Sequence, residues 1–328
     1  MLAPLTPRAF DKPHTALLQP SPAPPPAQSW QKLAASKRME RDSLLPDRWR
    51  LPQVTLSNLP DDVRGVPEQC GLLSTRQLEI TELDDAAMLL SRVKEGSYSA
   101  VEVAEAFCGR AAIAQQLVNC LTEIRFNSAM ERARELDEFL QRTGKVVGPL
   151  HGLPVSLKDQ FDLQGVDSTM GFVSLIDKPA QQNAVLVDML LELGAILYCK
   201  TNCPQTMMAA ETNNNIFGRT LNPRNLKLAA GGSSGGEGAL LALKGSILGV
   251  GTDYGGSIRV PSLCNGLFGL RPTTRRIPYS GVSNVLKGFE AIESTIGPLA
   301  RSVDSLRVFM DAVVGAEPWL RDSKVIER

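Results

Sequence analysis

The stretch AAGGSSGGEGALLALKGSILGVGTDYGGSIRVP, Ala229 to Pro261, sets serines among glycines and contains no histidine. Such serines point either to nucleophilic chemistry or to phosphate binding. A phosphate loop needs Gly-x4-Gly-Lys-Ser/Thr, with the lysine on the phosphates. Here Glu237 stands where a cation is wanted, and Lys244 lies two turns further on. Gly231-Gly232-Ser233-Ser234-Gly235 matches G-x-S-x-G, but that motif needs an acid and then a histidine downstream of its serine. The chain has two histidines, His14 and His151, and both precede the stretch. A bland reading makes these glycines ordinary turn residues. Two clusters, Gly231–Gly238 and Gly249–Gly256, each at a strand/helix junction, argue for more than turns. Ser257, opening a helix after Asp253-Tyr254-Gly255-Gly256, has free backbone N–H groups beside it that can hold an oxyanion.

A serine nucleophile needs a neighbour to take its proton. With a Ser-His-Asp order excluded, lysine is the remaining common base, provided burial keeps it neutral. Lys158 ends the apolar run LPVSLKDQ, between Ser156 and Asp159. Strand ends at the C-terminal edge of a sheet are where sites gather. An isolated lysine there is also an ordinary surface residue, so pattern alone leaves both readings of Lys158 open.

The composition bounds the rest. The 328 residues suffice for a sizeable core, with 43% apolar and 21% charged residues. Lys plus Arg equals Asp plus Glu, 35 against 35, which gives no electrostatic case for nucleic acid or an anionic membrane. Six scattered cysteines are too few for a disulfide framework and suggest reduced thiols in a cytoplasmic setting. Cys199 and Cys203 lie four apart, but no second pair completes a zinc site, so no metal is expected. No apolar run is long enough to span a bilayer.

Residues 1–29 are proline-rich and read as a disordered tail, with an ordered domain over 30–328. A helix is expected around SWQKLAASKRMERDSLL. TELDDAAMLLSRVKEG reads as a helix capped by Thr81 and closed at Gly96. SAVEVAEAFCGRAAIAQQL opens on the capping box Ser99-x-x-Glu102, and SAMERARELDEFLQRTG ends at Gly144. After Pro149 the texture turns to strand–helix alternation. LPVSLKDQFD, AILYCKT, SILGVGTD and LFGLRPT read as strands; NAVLVDMLLELG, GEGALLALKG and SIRVPSLCNG read as helices. This is an α/β layered pattern with a largely parallel or mixed sheet.

GPLHGLPVSLKDQ (148–160), TNCPQTM (201–207), GRTLNPRN (218–225), GGSSGGEGA (231–239) and GVGTDYGGSIRVP (249–261) together resemble the amidase signature family. The likeness extends from about Trp30 to the end of the chain, and AFCGRAAIAQQLVNCLTE and VVGAEPWLRDSKVI resemble its fungal acetamidase branch. It implies the amidase signature fold: a mixed central sheet covered by helices on both faces. The family continues past SKVI, so the C-terminal part of that fold is expected to be missing. The resemblance also implies a triad, with Ser257 as acylated nucleophile, Ser233 as bridging serine after a cis peptide bond, and Lys158 as base. It assigns the oxyanion to the N–H groups of Tyr254, Gly255, Gly256 and Ser257, and substrate contact to Met207. Ser234, Asp253 and Arg259 match supporting positions. Tyr254 stands where relatives commonly carry isoleucine.

The expected activity is hydrolysis of a small acetamide-like amide to carboxylate and ammonia. It needs no cofactor, and the only partner expected is the small-molecule amide, with homo-oligomerisation left open. The alternatives are an amidase for a longer or aromatic amide in a biosynthetic pathway, and a truncated inactive fragment. The apolar positions Leu306, Phe309, Met310 and Val313 of a helix starting near Ser302 are expected to lack their partner surface.

Overall fold

The computed structural model describes residues 29–285, 288–289 and 291–327. Nearly all of the expected proline-rich tail therefore lies outside the described residues. Helix α1, Trp30–Ser43, opens directly after it, with the Ser29 side chain accepting from the Lys32 N–H. Helices α2 (Thr75–Glu82), α3 (Ala86–Lys94) and α4 (Ala100–Val118) follow. The Ser99–Glu102 capping box of α4 is formed in both directions. Thr81 is not the cap of α3. It lies inside α2, its hydroxyl bonded back to the Gln77 carbonyl, and Asp85 caps α3 instead by accepting from the Ala87 N–H. Asp85 sits one residue before the first helical position, where a carboxylate meets orphan N–H groups.

Strand β1 (Leu121–Ile124) and helix α5 (Phe126–Thr143) come next, and α5 stops at Gly144 in the left-handed region. Then the alternation begins: β2 (Pro154–Lys158), α6 (Val185–Glu192), β3 (Ile196–Thr201), α7 (Gly235–Ala242), β4 (Leu248–Asp253) and α8 (Arg259–Asn265). The chain closes with β5 (Phe268–Gly269), β6 (Thr295–Ala300) and α9 (Val303–Gly315). The strand expected over LFGLRPT shrinks to two residues, because pairing with β6 involves only Phe268 and Gly269.

These six strands form one mixed sheet in the order β1-β3-β2-β4-β6-β5, beside two small two-stranded sheets within residues 213–229. Its centre, β3-β2-β4, is parallel, and the outer pairings are antiparallel. The parallel strands are buried throughout, as strands covered on both faces must be. Helix α4 is buried almost all round. Its many alanines and Gly109, where an added Cβ would meet the Trp49 ring at 2.8 Å, let neighbours approach every face.

The apolar side of α9 is covered within this chain, contrary to expectation. Leu306, Phe309 and Val313 are buried, Met310 is half-buried against the core, and the helix packs on β6, α3 and α6. Just before it, the Arg301 guanidinium donates to the carbonyls of Thr81, Leu83 and Ser246. The Ser305 hydroxyl accepts from the Ala86 N–H at the start of α3. The N-terminal helices are thus tied to residues more than two hundred positions away.

Candidate active site

Side chains alternate along a strand, so Ser156 and Lys158 of β2 share one face. That face meets α7 and the loop before it. Ser156 donates to Glu237 Oε2 at 2.6 Å, and Lys158 Nζ, in its protonated form, donates to Ser233 Oγ at 2.6 Å. Glu237 also accepts from Thr201 of β3, so one carboxyl group ties α7 to two strands. Helix α7 can come this close because β4 presents glycines. A Cβ on Gly249 would fall 2.1 Å from Glu237 Oε2, and one on Gly251 would fall 2.7 Å from Ser234 Oγ.

Lys158 is completely buried. Burial pushes its ammonium down to about 8, against the opposing pull of Cys203, Asp253 and Glu237. A substantial fraction is therefore the neutral amine at mildly alkaline pH, which is the form that accepts a proton. Its second hydrogen bond goes to Thr252 Oγ1 at 2.9 Å. Glu237 is pushed up to about 7 by burial, even though Ser156 and Thr201 donate to it.

Ser233 is buried, and the peptide bond before it, Gly232–Ser233, is cis. Ser257 and Ser233 line one cleft together with Gln160, Met207, Thr252 and Tyr254. Ser234 follows Ser233; its N–H donates to the Ser257 carbonyl and its hydroxyl donates to the Thr252 carbonyl.

The loop after β4 is shaped by Asp253. Its carboxylate accepts from the backbone N–H groups of Gly256 at 2.7 Å and Ile258 at 3.1 Å, and from the Arg259 guanidinium at 3.0 Å. Burial opposes ionisation of Asp253, but Arg259 and these N–H groups outweigh it and hold the carboxyl down to about 2. The Gly256 N–H is thereby occupied. The backbone N–H groups of Gly255 and Ser257, among the described residues, donate to nothing in the protein. They remain available to a negative oxygen in the cleft.

His151 is buried before the start of β2, seven residues and one strand length from Lys158, with Nδ1 accepting from the Val147 N–H. Two polar residues that sequence reasoning passed over extend this chain of bonds: Thr252, which accepts from Lys158, and Gln160, which accepts from Thr252. Their neighbours to the triad motifs, one before Asp253 and two after Lys158, were the available signal.

The chain has counterparts among known proteins. The family model described as Amidase matches residues 102–328, and the chain belongs to this family. It is 48% identical over 299 residues to an acetamidase of Emericella nidulans, covering 91% of this chain and 54% of that protein. It is 49% identical over 304 residues to an amidase of Gibberella moniliformis, covering 91% of this chain and 57% of that one. Among solved structures it resembles fatty acid amide hydrolase with a TM-score of 0.87 and 36% identity, over 92% of this chain and 54% of that chain. The chain thus spans about half the length of the relatives it matches.

Proposed function

We propose that this chain hydrolyses a carboxylic amide through an acyl-enzyme on Ser257. The observation that carries the reading is a fully buried Lys158 amine 2.6 Å from Oγ of Ser233, a serine that lines one cleft with Ser257. Neutral Lys158 takes the Ser233 proton while Ser233 takes the Ser257 proton. Ser257 Oγ then bonds to the amide carbon, and the carbonyl π electrons move to oxygen. The N–H groups of Gly255 and Ser257 stabilise that oxyanion, with Tyr254 completing the loop; Gly256 contributes by holding the loop on Asp253. Collapse expels the amine, which receives a proton from Lys158 through Ser233. Water then attacks the acyl-enzyme by the same relay, releasing the carboxylic acid and regenerating the serine. Ser234 and Arg259 hold the parts in place, and Met207 borders the acyl group.

The acetamidase relatives favour a small monocarboxylic amide, with a cytoplasmic setting suited to six free thiols. A second reading, a longer or aromatic amide, is favoured by a cavity of about 300 Å³ that adjoins the cleft and shares Tyr279, Asn284 and Ser294 with it. Ammonia release by the purified full chain, across a panel of short and long amides, separates the two. Peptide mapping after a fluorophosphonate probe should find the label on Ser257, and Ser257→Ala should lose turnover and labelling together. Label on Ser233, or full turnover by Lys158→Arg, overturns the mechanism.

A further inference from the structure

Gln160 is completely buried and leaves β2 two residues after Lys158. Its Nε2 donates to the main-chain carbonyl of Ser283 at 2.9 Å and to Tyr279 Oη at 3.2 Å. A carbonyl oxygen only accepts, so the Ser283 contact fixes which end of the Gln160 amide is nitrogen. Oε1 must then face the other way, where it lies 2.6 Å from Thr252 Oγ1. An amide oxygen also only accepts, so the Thr252 hydroxyl proton is committed to Gln160. That leaves Thr252 Oγ1 only lone pairs to offer Lys158 Nζ at 2.9 Å.

We propose that Gln160 is a positioning residue that sets the direction of this chain, so that neutral Lys158 gives an N–H to Thr252 and turns its lone pair to the Ser233 hydroxyl. A neutral amine has two N–H bonds and one lone pair in tetrahedral directions. With one N–H anchored on Thr252, the lone pair can point along the 2.6 Å contact to Ser233. Without the Gln160 acceptor, the Thr252 hydroxyl is free to rotate and donate to the amine itself. It then competes with Ser233 for the only basic site in the relay. The two groups that hold Gln160, Tyr279 and Ser283, lie 119 and 123 residues further along the chain. The charged and titratable groups that act on Lys158 are Cys203, Asp253 and Glu237, and none of them changes when Gln160 is replaced by a neutral residue.

The inference rests on Lys158 being the base, and its test is built to fail separately from that reading. Gln160→Met keeps length and neutrality but removes the acceptor. In the full chain it is expected to lower kcat roughly tenfold, about the worth of one redirected hydrogen bond, with KM within about twofold of the parent. Thr252→Val should lower kcat as well, and adding Gln160→Met to Thr252→Val should cost nothing more, because Gln160 acts only through that hydroxyl. Independent, multiplying losses, or an unimpaired Gln160→Met beside dead Lys158→Arg and Ser257→Ala variants, overturn this inference alone. Full turnover by Ser257→Ala or Lys158→Arg overturns the mechanism and this inference with it. Neutron diffraction of the deuterated parent protein gives a reading that needs neither turnover nor a folded variant. The Thr252 deuteron is expected between Oγ1 and Gln160 Oε1, and a deuteron pointing at Lys158 Nζ refutes the proposal.

Discussion

Lys158→Met should show that the proposed base is held at a cost to the fold. The ordinary lysine value of 10.5 falls to about 8 in the folded protein, chiefly through burial, and that displacement corresponds to about 3 kcal/mol. Above pH 10.5 the side chain is neutral in both the folded and unfolded states and there is no penalty. Between 10.5 and about 8 the unfolded chain binds a proton that the folded one does not, so stability is lost as pH is lowered through this range. Below about 8 both states are protonated and the loss is constant. Methionine carries no proton, and every other titrating group is common to both proteins. The stability of Lys158→Met relative to the parent should therefore rise by about 3 kcal/mol as pH drops from about 11 to 7, with most of the change above pH 8. The lost bonds to Ser233 and Thr252, about 1 kcal/mol each, shift the whole difference by a constant without changing its slope. Urea unfolding at half-unit pH steps measures it. A difference independent of pH over this range would refute the claim that burial depresses Lys158. Turnover of the parent should rise through about pH 8 for the same reason.

Asp253→Asn removes the ionised acceptor of the Gly256 and Ile258 N–H groups and of Arg259, and should destabilise by about 2–4 kcal/mol in denaturant. The parent should also lose this group's contribution as pH falls from 3.8 towards 2, a loss that melts of the asparagine variant should lack. Gly236→Ala places a Cβ 2.4 Å from the Asn202 nitrogen and 2.6 Å from its oxygen, backbone that cannot step aside, and should lower stability by about 3 kcal/mol; Gly255→Ala, with nothing within 4 Å, should leave the melt unchanged. Ser99→Ala breaks the capping box of α4 and should cost about 1 kcal/mol in the same assay.

What could be read in the sequence was what depends on near neighbours. Ser99 and Glu102 meet within one helical turn, and Gly144 needs only its own backbone freedom to end α5. Thr81 misled because it sits in the last turn of α2, and only where that helix stops, at Glu82, shows that the next one starts after Asp85. Strand β6 escaped because Gly297 and Pro298 read as breakers; the fold uses Gly297 to let the Leu270 carbonyl approach, where a Cβ would fall 2.1 Å away. Periodicity left Lys158 as a strand-end lysine like any other, and only the family motifs singled it out. Its burial comes from α7 and β4, which converge on β2 from much later in the chain. Gln160 was illegible for the same reason, since its meaning depends on Tyr279 and Ser283.

The ties from Arg301 and Ser305 to the first helices have a consequence for how the protein is born. A ribosome delivers the chain from its N-terminus, so Thr81, Leu83 and Ala86 emerge long before the guanidinium and hydroxyl that satisfy them. Strand β4, which carries Thr252 and Asp253, gains its β6 neighbour only when residues 295–300 appear. Between the emergence of Ser257 and that of residues 295–300, the nascent chain therefore holds every residue of the relay without the strand that flanks β4.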